Sequence, residues 1–184
     1  MQTIQTLVIT GYRSFELGVF QDKDPKIKVI KKVIKNSLQQ YVEEGLEWVL
    51  VSGNLGVEIW AGEIVLELQK EYPELKLGII FPFEKFGEQW NEKNQQVLNE
   101  LKTQANYVNA TSHSIYNNPG QLKIHSKFLL EHSGGALVIY DEEYPGKTQF
   151  FFRDAQVYAQ ENAYLIDHIS MDDLQNTSFD SDSV

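Results

Sequence analysis

The chain has no cysteine. Disulfides, thiolate metal sites and cysteine nucleophiles are therefore excluded, and the composition suits a reducing compartment. No apolar run reaches the roughly 18 residues that cross a bilayer. The start, Met1-Gln2-Thr3-Ile4-Gln5-Thr6, has no basic stretch followed by an apolar one, so no secretory leader is expected. A cytoplasmic protein without membrane contact is the expectation. Basic residues are the minority, 16 Lys and Arg against 26 Asp and Glu, for a net charge of −10. That balance disfavours binding built on nucleic-acid phosphates. Lys23, Lys26, Lys28, Lys31, Lys32 and Lys35 do cluster, but at spacings that read as the solvated face of a helix. The four histidines, His113, His125, His132 and His168, show neither H-x-x-x-H nor H-E-x-x-H spacing, so no metal is expected. No Gly-x-Ser-x-Gly elbow marks a serine hydrolase.

What is present is an alternation. The 184 residues, 42% hydrophobic, suffice for one domain with a full core. Ile4–Thr10, Glu47–Ser52, Leu75–Phe81, Asn106–Ala110, Ala136–Tyr140 and Tyr164–His168 read as strands. Several are continuous apolar runs, as strands covered on both faces require. Between them lie helical patterns from Pro25 to just before Gly45, which suits a C′ position, and over 57–71, 88–104, 119–132 and 148–161, with Leu122, Phe128 and Leu129 facing the core in the fourth. Met171–Leu174 reads as a helical turn, and the acidic, serine-rich stretch from Asn176 to Val184 as a disordered tail. The expectation is a single domain over 1–175, of α/β class: a Rossmann-like, doubly wound, mostly parallel sheet with helices on both faces. Ligands in such sheets bind beyond the carboxyl ends of the strands, near a switch in strand order. This draws attention to Gly11–Gly18, Ser52–Gly56, His113–Pro119 and Asp141–Thr148.

Ser52-Gly53-Asn54-Leu55-Gly56 joins a buried strand to a helix. Its glycines permit positive φ and close approach, and the helix start attracts an anion. One glycine of the dinucleotide fingerprint is missing, so the turn fits a phosphate cradle and a plain connection equally. Glu58 in the first helical turn is stabilised by the helix dipole and can also accept ribose hydroxyls. In Gly11-Tyr12-Arg13-Ser14-Phe15-Glu16-Leu17-Gly18, Arg13 can fork onto phosphate, and Tyr12 and Phe15 can stack on a base or cover the sheet end. Gly146-Lys147-Thr148 resembles the end of a P-loop, but Asp141 stands where a glycine is needed. An NTPase is rejected, and a helix-start phosphate contact by Gly146 and Thr148 is retained. Of the histidines, His113 in a polar loop is the candidate ligand contact; the others read as surface or capping groups. Trp60, beside Ala61 and Ile64, reads as core.

The Gly11–Gly18 and Ser52–Ala61 segments together resemble the YpsA-like family, within the SLOG group of Rossmann-like domains. The Pro119 segment, Tyr140-Asp141 and Met171-Asp172-Asp173-Leu174 resemble it as well. The SLOG group also holds the DNA-processing protein DprA and the LOG phosphoribohydrolases. The resemblance implies a nucleotide-type pocket on Gly11, Arg13, Glu16, Ser52, Gly53, Asn54, Gly56, Glu58 and Trp60, and an association with cell-division control. Two positions depart from it: Asn54 replaces a longer Gln, and His125-Ser126 replaces a basic residue followed by Asn. The proline-glycine-glycine loop of the phosphoribohydrolases is absent. Three readings follow. The leading one is a binding module for a nucleotide or nucleotide-derived ligand such as ADP-ribose, signalling through a protein partner. The second is an enzyme cleaving an N-glycosidic bond with Glu58. The third, single-stranded nucleic-acid binding, is opposed by the charge.

Overall fold

A computed structural model describes residues 3–182 of the chain. Met1, Gln2, Ser183 and Val184 lie outside the described residues, including the last two positions of the expected tail.

Among the described residues six strands form one sheet: β1 (Thr6–Gly11), β2 (Trp48–Val51), β3 (Lys76–Phe81), β4 (Tyr107–Ala110), β5 (Gly135–Ile139) and β6 (Leu165–Ile169). Every pairing is parallel, in the order β4-β3-β2-β1-β5-β6, so the mostly parallel sheet anticipated is wholly parallel. The central strands are covered on both faces, which explains their unbroken apolar runs: β1, β2, β3 and β5 bury Leu7–Ile9, Val49–Val51, Leu77–Phe81 and Ala136–Ile139.

The helices are α1 (Pro25–Glu43), α2 (Val57–Leu68), α3 (Glu92–Gln104), α4 (Gly120–Glu131), α5 (Thr148–Glu161) and α6 (Met171–Asp182). α1 starts on Asp24, whose side chain accepts the Lys26 N–H, with Pro25 in the first turn. Its lysines are partly spent on its neighbour: Lys31 reaches Glu63 at 3.0 Å and Lys35 reaches Glu67 at 2.8 Å on α2. α1 packs beside α2 and α6, α2 beside α3, and α4 beside α5. With right-handed crossovers this sets α6, α1, α2 and α3 on one face of the sheet and α4 and α5 on the other. No helix among the described residues is long and apolar enough to cross a membrane.

Three differences from the sequence expectation have local causes. α3 begins at Glu92, capped by the Asn91 side chain on the Asn94 N–H, so Trp90 precedes the helix and packs edge-on against Phe86. Leu122 is 45% exposed rather than core-facing, because α4 turns Gln121, His125 and Leu129 inward. α6 runs to Asp182, past the single turn expected over Met171–Leu174, and takes in residues 176–182 of the expected tail.

From β1 the chain steps outward through β2, β3 and β4, then returns to place β5 on the other side of β1. The switch in strand order lies between β1 and β5, and crevices of this fold open there, at the carboxyl ends. The loops after β1, β2 and β5 meet at this point.

Candidate functional site

The loops after β1 and β2 are joined by backbone. Arg13 and Gly56 form an antiparallel bridge, in which Ser14 N–H donates to Leu55 O at 3.1 Å and Val57 N–H to Tyr12 O at 3.1 Å. Glycine is required for this approach. A Cβ on Gly56 would lie 2.5 Å from Tyr12 O and 2.6 Å from Ser14 N, and its φ is +114°. Gly53, at φ +89°, has Phe81 against it, 2.5 Å from where a Cβ would stand.

The expected anion cradle is filled from within. Glu58 is 2% exposed. Its Oε1 accepts the N–H of Ser52 at 3.1 Å, the N–H of Asn54 at 3.2 Å and the Asn54 amide at 3.2 Å. Its Oε2 accepts the Thr10 hydroxyl at 3.0 Å and the same amide at 3.2 Å. A carboxylate has about four acceptor sites, so Glu58 is saturated. Asn54 reaches it although shorter than glutamine. The N–H groups of Gly53, Leu55, Gly56 and Glu58 have no protein acceptor among the described residues.

A second carboxylate closes the loop after β5. Glu16 Oε1 accepts the Arg13 N–H at 2.7 Å, and Oε2 accepts the Lys147 N–H at 2.9 Å, at the start of α5. Gly146 leaves room for it, as a Cβ there would meet Glu16 Oε2. Tyr12 completes the seam. Its hydroxyl donates to Tyr144 O at 2.8 Å and accepts the Asp141 N–H at 2.9 Å. Its ring is buried against Tyr140, and burial pushes its hydroxyl up to about 12. Tyr12 is thus unavailable for stacking, and Trp60 is buried as expected. Phe15 is 55% exposed, with the Lys147 ammonium 5.6 Å from its ring centre.

Arg13 reaches from the loop after β1 to the start of α5. Its Nη1 contacts Thr148 Oγ1 at 3.2 Å and Gly11 O at 3.5 Å, and the buried Thr148 hydroxyl donates to Gly11 O at 2.7 Å. Its Nη2 and Nε have no acceptor among the described residues. Gly11, Tyr12, Arg13, Glu16, Ser52, Gly53, Asn54, Gly56, Glu58, Gly146 and Thr148 are therefore brought together. His113 is not. It is exposed, 3.5 Å from Glu84, and borders a separate cavity of about 270 Å³ with Tyr107, Ile124 and Phe128. Among the described residues no cluster of His, Asp and Glu could hold a metal.

Two features were missed in the sequence. One is His125, expected at the surface or as a cap. It is 8% exposed, with Nε2 at 2.7 Å from Ile80 O. Burial holds its imidazole below the ordinary value, and Glu58 and Arg13 are the charges acting on it. Only the inward face of α4, one turn beyond Gln121, signalled it. The other is a cavity of about 720 Å³ at the carboxyl ends of β3 and β4, walled by Phe81, Phe83 and Phe86. It shares Phe81 with the Gly53 turn.

The YpsA family model, that of the YspA SLOG family, matches residues 7–174. A UPF0398 protein of Enterococcus faecalis is 57% identical over 180 residues, 98% of this chain and 100% of the relative. Another, from Lacticaseibacillus casei, is 44% identical over 172 residues, covering 94% and 90%. Among solved structures, DNA processing protein A from Helicobacter pylori, described for its single-stranded DNA binding, superposes with a TM-score of 0.56 at 14% identity. That match covers 98% of this chain and 82% of that one, and at this identity the likeness is one of fold. The family match and the identity of these relatives together place the chain in the YspA SLOG family.

Proposed function

We propose that the chain binds a nucleotide or nucleotide-derived anion in the crevice where the loops after β1, β2 and β5 meet, and acts in the bacterial cytoplasm as a sensor that signals to a protein partner. One observation carries this reading: Arg13 stands at the strand-order switch, steadied by Thr148 and Gly11 O, with two of its nitrogens unspent. Phosphate is the planar guanidinium's natural partner. The free N–H groups of Gly53, Leu55 and Gly56 lie on the bridged loop beside it. Phe15 and the rings behind Phe81 are aromatic surface open to a base at the same edge. Binding without turnover is favoured over N-glycosidic cleavage, because Glu58 must give up a hydrogen bond before it touches a substrate.

Thermal-shift titration with ATP, ADP, AMP, NAD and ADP-ribose tests this. Saturation at about 100 times Kd stabilises a fold by roughly 2.7 kcal/mol, so at least one ligand raises Tm. Arg13→Ala removes the rise while leaving the unliganded Tm close to the parent's. A flat response to every nucleotide at millimolar concentration rejects the reading.

The Helicobacter pylori relative supports a second reading, since a single strand offers the same phosphates and bases. That reading requires salt-dependent affinity for oligonucleotides. A gel shift with single-stranded DNA at low salt decides it, and the net charge of −10 predicts no shift.

A further inference from the structure

We infer that the cavity of about 720 Å³ at the carboxyl ends of β3 and β4 is the seat of the nucleobase. The ligand then lies along the edge of the sheet, with its phosphates at Arg13 and its base beyond the Gly53 turn. This rests on the nucleotide reading and adds the direction in which the ligand lies. The volume falls within the roughly 300–1,000 Å³ of small-molecule sites. Close packing ties the cavity to the crevice. A Cβ on Gly53 would lie 2.5 Å from the Phe81 ring and 3.5 Å from Leu98, and both residues line the cavity. Further along the same turn, Gly56 is bridged to Arg13. Arg13 follows β1, the turn follows β2 and Phe81 ends β3, and these three strands are neighbours in the sheet. Two strand spacings, about 10 Å, therefore separate the two ends of the site. Ribose and phosphates bridge that gap across the N–H groups of the turn.

The lining suits a base rather than a phosphate. Its charges balance, Lys85 and Lys102 against Glu84 and Glu88, so no excess of cations draws an anion there. Its apolar wall is a set of braced rings. Phe86 stacks on Phe81 at 5.3 Å, meets Trp90 edge-on at 5.5 Å and leans on Phe83 at 5.4 Å. Phe83 in turn touches Tyr116 at 5.2 Å. Phe83 and Phe86 are half-buried, so they are held in place and still offer ring surface. Every base has a π-face that stacks on such rings. Amides stand beside them. Gln95 Nε2 donates to Glu88 O at 2.8 Å and to Trp90 O at 2.6 Å, which ties down the loop after β3. Its Oε1 has no protein partner among the described residues, and neither has the Asn99 side-chain amide, which both donates and accepts. Both residues line the cavity, and a base edge carries the matching donors and acceptors. Phe15, by contrast, is a single exposed ring, with the Lys147 ammonium 5.6 Å from its centre.

The test titrates the full chain calorimetrically with the 5′-monophosphates of adenosine, guanosine, cytidine and uridine, and with ribose 5-phosphate, which has the sugar and the phosphate but no base. At least one of the four nucleotides binds the parent about tenfold or more tighter than ribose 5-phosphate, as stacking of a base on an aromatic ring provides. Phe83→Leu keeps the bulk without the ring; it removes that advantage and leaves the affinity for ribose 5-phosphate unchanged. Phe83→Tyr keeps the ring and the advantage. Arg13→Ala weakens the nucleotide and ribose 5-phosphate by the same factor, because it acts at the other end of the ligand. Nuclear Overhauser contacts from the base protons to the Phe83 and Phe86 rings of the parent give a readout that does not depend on how the variants fold. Equal affinity for ribose 5-phosphate and every nucleotide, an advantage that survives Phe83→Leu, or base contacts to Phe15 in place of Phe83 and Phe86 overturns the inference and leaves the nucleotide reading standing. If none of the four nucleotides binds, the inference falls, and the nucleotide reading falls with it when ATP, ADP, NAD and ADP-ribose also leave Tm unchanged.

Discussion

Glu58 and Glu16 each occupy the kind of position to which a free anion would be drawn. A helix start presents N–H groups without intrahelical partners, and here part of that need is met by the chain's own carboxylates. Glu58 holds Ser52 and Asn54, and Glu16 reaches from the loop after β1 to Lys147. Their costs on removal differ because their burial differs. Glu58→Ala strands the Ser52 N–H and the Thr10 hydroxyl in the interior, at roughly 1–3 kcal/mol for each buried group left unsatisfied. Glu16→Ala exposes its donors to water and costs about 1 kcal/mol. Urea denaturation separates them: Glu58→Ala shifts the midpoint well below that of Glu16→Ala. Equal shifts would mean that Glu58 contributes no more than a surface group.

At the scale of the element, the unit is the strand–turn–helix of β2 and α2, zipped to the loop after β1. The turn itself was legible in the sequence: the β-branched run to Val51, the two glycines and the apolar stripe of α2 are local signals. The bridge from Arg13 to Gly56 was not, since it joins segments 43 residues apart and leaves no periodic mark. For the same reason Glu58 read as a helix-dipole carboxylate, although its partners include Thr10 on another strand. His125 was illegible because a lone histidine on an amphipathic helix shows no more than which face it takes. The bridge yields a prediction. Gly56→Ala forces a side chain against Tyr12 O and Ser14 N at positive φ and separates the two loops. Gly18 also has positive φ, +67°, but nothing lies within 4 Å of its Cβ position. Gly18→Ala therefore costs only the left-handed penalty of about 1–2 kcal/mol. Thermal melts should rank Gly56→Ala well below Gly18→Ala, and nucleotide binding should survive only in the latter. Similar melting temperatures would remove the bridge from the account of the site.

For the whole molecule, a parallel sheet with helices on both faces follows from strands too apolar to face water and from right-handed connections, which is why alternation alone anticipated the fold class but not the order of the strands. What alternation could not supply is how the finished layers change the protonation of single groups. Burial holds His125 below its ordinary 6.5. As the pH falls, the unfolded chain therefore takes up a proton on this histidine before the folded chain does. Stability is complete above about pH 6.5 and falls as the pH drops further. The tyrosines act in the opposite sense. Tyr12 and Tyr164 are pushed from 10.0 up to about 12 by burial, and Tyr41, hydrogen-bonded to Asp167 at 2.7 Å, is raised as well. The unfolded chain ionises them near pH 10 while the folded chain keeps them protonated, so stability is complete below pH 10 and is lost as the pH climbs towards 12. The curve of unfolding free energy against pH is thus a plateau between these limits with a decline on either side. Urea midpoints measured from pH 5.5 to 11 should trace it. His125→Gln should flatten the decline just below pH 6.5 and leave the alkaline limb intact. Tyr12→Phe should soften the alkaline limb and leave the acid side unchanged. An acid limb that persists undiminished in His125→Gln would mean that the imidazole is solvated in the folded state, which contradicts its place beneath β3.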